Sequence, residues 1–380
     1  MKLFYWSPFL SNIATVDAVI NSINSIKRYD KVKKFETSII DSVGEWEEKK
    51  NKLYGIDVIK LYQKSFYNLL PKGSFFKSRI SQLIIFILSF NSLKNLLKKE
   101  KPKYLISHLI VSLPLVLFFL FKFETKLIIR ISGTPKLNLL RKFLWSLFSK
   151  KVHIITCPTK SAMKKIEQLN IFPKHKLKLL YDPILNIKLI NTQKKEKIDK
   201  KFIGVEYILG IGRLTKQKNF KLLLNSFKEI LVKYPKLNLV ILGEGEEKNN
   251  LTKQIKVLDL EKKVFLLGYK KNVFCYIENC DCYISSSFYE DPGFTLIEAG
   301  FLNKLVIAAD SKTGPSEILD NSNNGLLYEN NDKISLKHRY FTFKQMKISE
   351  INSKKISLKK YSKNFTFFTH FKKINQILSN

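Results

Sequence analysis

The stretch YILGIGRLTKQKNFKLLLNSFKEILVKYPKLNLVILGEGEE, residues 207–247, decides the fold. A short apolar run, Tyr207–Ile211, leads into a loop with Gly210 and Gly212 at its start, then into a stretch of helical length, Phe220–Tyr234. A second apolar run, Asn238–Leu242, follows and also ends on a glycine, Gly243. Short apolar runs spaced by helix-length segments are the pattern of strands buried on both faces and joined by crossover helices, which is a parallel sheet. Ligands of such sheets sit beyond the carboxyl ends of the strands, and that is where these glycines and the neighbouring cations fall.

The alternation extends in both directions. Downstream it predicts strand Val264–Leu267, helix Asn272–Asn279, strand Cys282–Ser286, a helix around Leu296–Leu302, strand Leu305–Ala308 and a helix around Pro315–Asp320. Upstream it predicts strands at Lys2–Trp6, Ser38–Ile40, Tyr104–Ser107, Lys126–Ser132 and His153–Cys157, with helices at Ala14–Ile26, around Pro114, at Leu139–Phe148 and at Lys160–Leu169. Between the halves, Asn186–Glu206 loses apolar periodicity and gains lysines, as a surface linker does. A chain of 380 residues also exceeds what one core supports. The expectation is an α/β protein of two Rossmann-like, doubly wound parallel-sheet domains, at residues 1–188 and 189–345. A helical tail, residues 346–380, is placed to pack back on the first domain, with helical potential over Thr366–Leu378.

Lys and Arg number 67 against 32 Asp and Glu, a net charge of +35. A field that strong suits a negative partner: nucleic acid, anionic lipid or a phosphorylated small molecule. Biased coding composition produces the same excess of Lys, Ile, Asn and Phe with no such partner. Cys157, Cys275, Cys280 and Cys282 have no zinc spacing and read as reduced thiols, and no cluster offers metal ligands. Met1–Tyr5 runs directly into an apolar segment without a basic region or cleavage site, which argues for the cytoplasm and against secretion. Tyr104–Phe121 comes nearest to a membrane span, but it is short and contains His108 and Pro114, so a buried strand followed by an apolar helix accounts for it better.

Two constellations carry chemistry. In the first, Gly210–Asn219, the glycines let backbone approach a ligand closely, while the Arg213 fork and the Lys218 point charge can hold a diphosphate from two sides. In the second, Ser285–Gly300, Glu290 and Glu298 stand on either side of a Pro-Gly loop. Carboxylates accept hydrogen bonds from sugar hydroxyls, and the N–H groups of Gly293, Phe294, Thr295 and Leu296 would open a helix toward a phosphate or sugar oxygen.

The order of these segments resembles a known family. GR-x4-K after the first strand of the second half, LGEGEE after the next, LLGY after the third, then E-x7-E and Gly314-Pro315-Ser316-Glu317-Ile318 are similar to the retaining glycosyltransferases of family 4, over residues 204–330. The resemblance implies the GT-B fold, two Rossmann-like domains facing across a cleft, and sugar transfer from a nucleotide-diphosphate sugar to a glycan or lipid-linked acceptor in bacterial-type surface polysaccharide (lipopolysaccharide or capsule) biosynthesis. It implies that Arg213, Lys218 and Glu290 act in catalysis, that Arg213 and Lys218 bind the diphosphate, that Glu298 holds the ribose, that Glu290 with the Gly293 and Phe294 backbone meets the donor sugar, and that Gly212, Thr295 and Leu296 also bind the donor. Gly243, Gly268 and Tyr269 would lie near the base. No dedicated protein base is implied, because the leaving phosphate helps deprotonate the acceptor, and no metal or other cofactor is implied, because the family typically works without one.

The first half departs from the family pattern. Trp6–Thr15 replaces a Gly-Gly loop, leaving Ser11 and Asn12 as acceptor-side candidates, and Ser132 stands where a His is common. His108 after its strand is a further acceptor-side candidate. The basic, aromatic segment Lys64–Lys103 fits either peripheral binding to an anionic membrane at the inner face of the cytoplasmic membrane or a pair of amphipathic helices on the sheet. A non-catalytic relative that binds nucleotide sugar stays open on these departures. A nucleic-acid-binding protein is motivated by charge alone and lacks any recognisable reading module, so no nucleic-acid partner is expected.

Overall fold

The computed structural model describes every residue except 12–13, 74, 132–137, 312–313 and 380. It divides into two compact units, Met1–Pro183 with Phe367–Asn380, and Ile184–Thr366.

The first unit comprises β1 (Lys2–Trp6), α1 (Ala14–Tyr29), β2 (Glu36–Asp41), β3 (Asp57–Lys60), α2 (Phe75–Glu100), β4 (Tyr104–Ser107), α3 (Ser112–Leu120), β5 (Lys126–Arg130), α4 (Leu139–Ser149), β6 (Val152–Cys157), α5 (Lys160–Gln168) and β7 (Leu177–Leu179). The sheet order is β3-β2-β1-β4-β5-β6-β7, all parallel. Alternation along β1 divides its side chains between two cores: Leu3 and Tyr5 pack with Val16, Val19 and Ile23 of α1, while Phe4 and Trp6 pack with Leu93 of α2 and Leu113 of α3. Burial on both faces is why these strands read as unbroken apolar runs.

The second unit comprises α6 (Ile187–Gln193), β8 (Tyr207–Ile211), α7 (Phe220–Lys233), β9 (Asn238–Leu242), α8 (Lys248–Val257), β10 (Val264–Leu266), α9 (Phe274–Asn279), β11 (Cys282–Ser285), α10 (Phe294–Phe301), β12 (Leu305–Asp310), α11 (Gly314–Ile318), β13 (Leu326–Glu329), α12 (Lys333–Gln345) and α13 (Ile348–Ser362). Its parallel sheet runs β10-β9-β8-β11-β12-β13. Both sheets reverse direction beside their first strand, between β1 and β4 and between β8 and β11. Such switch points open a crevice at the carboxyl edge.

The last helix, α14 (Phe367–Ser379), belongs to the first unit, where it packs on α1. Ser25 Oγ donates to Phe367 O at 2.6 Å, and His370 Nε2 meets Ser22 Oγ at 2.8 Å.

The structure departs from the sequence reading in four places. The chain changes unit after Pro183, not after residue 188, and the expected linker Asn186–Glu206 holds α6 and lies in the second unit. The second unit extends to Thr366, so the tail is divided: α13 stays with the second unit and α14 with the first. Lys64–Lys103 holds one long helix, α2 (Phe75–Glu100), where one of the two readings of this segment offered a pair. Finally, among the described residues the helix long and apolar enough to cross a membrane is Phe76–Glu100 and not Tyr104–Phe121, which is β4 followed by α3 as the sequence reading favoured.

Candidate active site

The second unit's switch point gathers the predicted residues. β8 ends at Ile211, and the N–H of Gly212 donates to Leu242 O at 3.0 Å, tying this loop to the end of β9. A Cβ on Gly212 would lie 2.9 Å from the Lys218 side chain, so a bare backbone is what lets the lysine lie across it. Gly243 has φ +147°, and a Cβ there would stand 1.8 Å from Gly212 O. Its N–H donates to Gly268 O at 2.9 Å, which joins the carboxyl ends of β8, β9 and β10 by backbone alone. Gly268 closes this line, and Tyr269 beside it is 75% exposed.

Lys218 closes the 3-10 turn that precedes α7, and its Nζ is ion-paired with Glu290 Oε1. Ser287 Oγ donates to the same carboxylate oxygen at 2.7 Å, and Ser286 Oγ donates to Lys218 O at 2.8 Å. The N–H of Phe288 donates to Gln217 O at 2.9 Å, and Gln217 Nε2 donates to Tyr289 O at 3.0 Å. The loops after β8 and β11 are thus bound together at both backbone and side-chain level. Arg213 projects from the first loop as an exposed side chain; among the described residues it has no ion-pair or hydrogen-bond partner.

Gly293, at φ +101°, caps α10, so Phe294, Thr295 and Leu296 form its first turn. The N–H of Gly314 donates to Glu290 O at 3.1 Å, and a Cβ on Gly314 would meet Pro292 O at 1.7 Å, which locks the acidic loop against α11. Glu298 lies one turn into α10, and burial pushes its carboxyl up to about 7. The Tyr283 hydroxyl bonds Thr295 Oγ1 at 2.6 Å; burial holds it neutral, and the charges of Glu290 and Glu298 both act in the same direction. Lys218, Glu290 and Glu298 therefore converge on the carboxyl edge of β8 and β11, with the first turn of α10 between the two acids and its Leu296 N–H donating to Gly293 O at 3.2 Å. A cavity of about 300 Å³ adjoins the first loop, lined by Thr215, Asn219, Glu247 and Phe288 among others.

On the first unit, Ser11 is exposed, while Asn12 and Ser132 lie outside the described residues. His108 follows β4, and burial, with Arg130 and His370 adding, holds its imidazole well below the usual range, so it is neutral. It lines a water-sized cavity of about 20 Å³ with Tyr5, Ser22, Arg130, Asp182 and His370. There Arg130 and Asp182 form a buried fork-to-fork ion pair. Sequence reasoning missed this pair and the Ser286, Ser287, Gln217 and Tyr283 supports, since their partners are distant in the chain.

The family pattern of the glycosyl transferases group 1 matches residues 191–360. An uncharacterised glycosyltransferase of Methanocaldococcus jannaschii is 32% identical over 295 residues, covering 68% of this chain and 72% of the relative. The N-acetylgalactosamine-N,N'-diacetylbacillosaminyl-diphospho-undecaprenol 4-alpha-N-acetylgalactosaminyltransferase of Campylobacter jejuni is 33% identical over 222 residues, covering 56% of this chain and 59% of that protein. The crystal structure of Anabaena Alr3699/HepE in complex with UDP superposes with a TM-score of 0.74 at 14% identity, over 100% of both chains.

Two Rossmann-like units of this topology define the GT-B fold. The chain belongs to the glycosyl transferases group 1 family. That membership makes it an enzyme of the glycosyltransferase class.

Proposed function

We propose that this chain is a retaining, family 4-type glycosyltransferase that moves a sugar from a nucleotide-diphosphate donor to a lipid-linked or glycan acceptor in bacterial-type surface polysaccharide biosynthesis, such as that of lipopolysaccharide or capsule. The observation that carries the reading is the convergence of Lys218, Glu290 and Glu298 at the β8–β11 switch point. Arg213 and Lys218 take the diphosphate, Glu298 accepts from the ribose hydroxyls, and Gly243, Gly268 and Tyr269 border the base. Glu290 and the first-turn N–H groups of α10 hold the transferred sugar. As the bond from the sugar C1 to the diphosphate oxygen breaks, the two cations stabilise the charge growing on the leaving group. The acceptor hydroxyl bonds C1 on the same face and yields its proton to the leaving diphosphate, so the anomeric configuration is kept. Charge stabilisation by Arg213 and Lys218 gives the reaction no need of a metal.

On the acceptor side, Ser11 and the neutral His108 serve as hydrogen-bonding groups. The Campylobacter jejuni relative acts, by its name, on a diphospho-undecaprenol-linked sugar. A lipid-linked acceptor for this chain suits an enzyme held peripherally at the inner face of the cytoplasmic membrane. Thermal-shift screening against a panel of nucleotide sugars tests the donor half. A matching donor raises Tm by mass action, and Glu298→Ala removes that rise. A panel without any response contradicts the proposal.

A further inference from the structure

The outward face of α2 changes character along its length. Ser81, Ile85, Ser89, Leu93 and Leu97 recur every four residues and are buried against the first unit. Away from that stripe, Phe76, Ile80, Leu83 and Ile87 are 74%, 38%, 59% and 64% exposed. Their spacing of four, three and four residues aligns them in one row, about 16 Å long. The same face continues through exposed Asn91, Asn95 and Lys98, as a helix in water requires. The second half of the helix is an internal control for the first: only the first half presents large apolar side chains to solvent.

The most apolar stretch of this helix is only 28% buried, yet Leu93 and Leu97 are fixed in the core beneath the sheet. A helix anchored that way lies on a bilayer and does not cross it. Between Lys64 and Lys103 there are nine Lys and Arg residues and one acid, Glu100, which is ion-paired with Lys2 at 2.9 Å. Lys77 and Arg79 are exposed on the same turns of α2 as Phe76 and Ile80, and exposed Lys72 precedes the helix with its ammonium 3.3 Å from the Tyr67 ring centroid. Cores of protein–protein interfaces are depleted of charge, whereas an anionic bilayer pairs apolar depth with surface phosphate.

We propose that the row Phe76, Ile80, Leu83 and Ile87 inserts at the headgroup–acyl boundary of an anionic phospholipid bilayer, with Lys72, Lys77 and Arg79 against lipid phosphates. This rests on, and deepens, the reading of a lipid-linked acceptor reached from the membrane surface. The test is co-sedimentation of the full chain with phosphatidylcholine vesicles, with and without about 30 mol% phosphatidylglycerol. The variants are Leu83→Lys/Ile87→Lys and Lys77→Glu/Arg79→Glu, with circular dichroism to verify folding. The chain should bind the anionic vesicles only, and each variant should bind about tenfold more weakly. Wild type left in the supernatant, or variants that bind as wild type does, would overturn the proposal. So would a dimer that Leu83→Lys/Ile87→Lys dissociates while vesicle binding persists, because the row would then serve a second copy. UDP titration of the same proteins keeps the two readings apart: binding that survives in the α2 variants ties any vesicle defect to this face, and failure of wild type to bind any nucleotide would strike the donor site alone.

Discussion

Lys218 and Glu290, 72 residues apart in the chain, form an ion pair whose side chains are only 15% and 11% exposed. The pair joins the loop after β8 to the loop after β11, so the cation assigned to the diphosphate and the acid assigned to the sugar are held in one geometry before donor arrives.

Removing one partner leaves the other charge largely buried. Lys218→Ala should destabilise by about 2–4 kcal/mol, near the cost of breaking a buried pair, and lower transfer at least 100-fold, roughly the loss seen when a charge-stabilising donor is deleted. Lys218→Met/Glu290→Gln should recover most of the stability in urea melts but none of the turnover. A double variant that recovers both would reduce the pair to a structural strut.

Glu298 gives a pH signature. Its folded carboxyl titrates at about 7, above the ordinary 4.5, so the folded state binds more protons than the unfolded one between those values. Stability should therefore fall as pH rises from about 4.5 to 7, by up to about 3 kcal/mol, and Glu298→Gln should flatten that slope. Donor binding should move the opposite way. If ionised Glu298 accepts from ribose, affinity for a nucleotide sugar, measured calorimetrically, should rise about tenfold from pH 6 to 8 in the wild type and not in Glu298→Gln.

The glycine line at the ends of β8, β9 and β10 has its own test. Gly243→Ala drives a Cβ toward Gly212 O and should cost about 3 kcal/mol or more, with loss of UDP binding. Gly204→Ala has a comparably unfavourable φ of +72° but open space around it, and should cost only about 1 kcal/mol with UDP binding intact.

These contrasts mark where sequence reading ends. The runs Tyr207–Ile211, Asn238–Leu242 and Tyr104–Ser107 were legible because burial on both faces leaves no polar alternation. β3, with exposed Asp57 and Lys60, and the three-residue β7 escaped notice because short edge strands mix polar with apolar residues. Motif order in the second unit located Arg213, Lys218, Glu290 and Glu298. It assigned Lys218 and Glu290 to different parts of the donor and gave no sign of their pairing, since a contact across 72 residues leaves no local trace. Lys64–Lys103 left open a membrane-binding segment or a pair of helices, because its lysines mask the single helical stripe in which every fourth residue from Ser81 to Leu97 is buried.

His370 tests the docking of α14. Burial lowers its imidazole to about 4, with Nδ1 against Tyr181 O at 2.8 Å and Nε2 against Ser22 Oγ. The folded state holds this ring neutral while the unfolded chain protonates it near 6.5, so stability should decline as pH falls from about 6.5 to 4. His370→Gln should make denaturant midpoints less sensitive to acid over that range. An unchanged slope would place the acid sensitivity elsewhere.

The most direct measurement of the central claim is the anomeric configuration of the product formed from an α-linked nucleotide-diphosphate sugar, followed by proton NMR from the first turnover. Transfer steered by Lys218, Arg213 and the leaving diphosphate on one face predicts an α-linked product, absent with Lys218→Ala. A β-linked product, or turnover in that variant equal to wild type, would contradict the account.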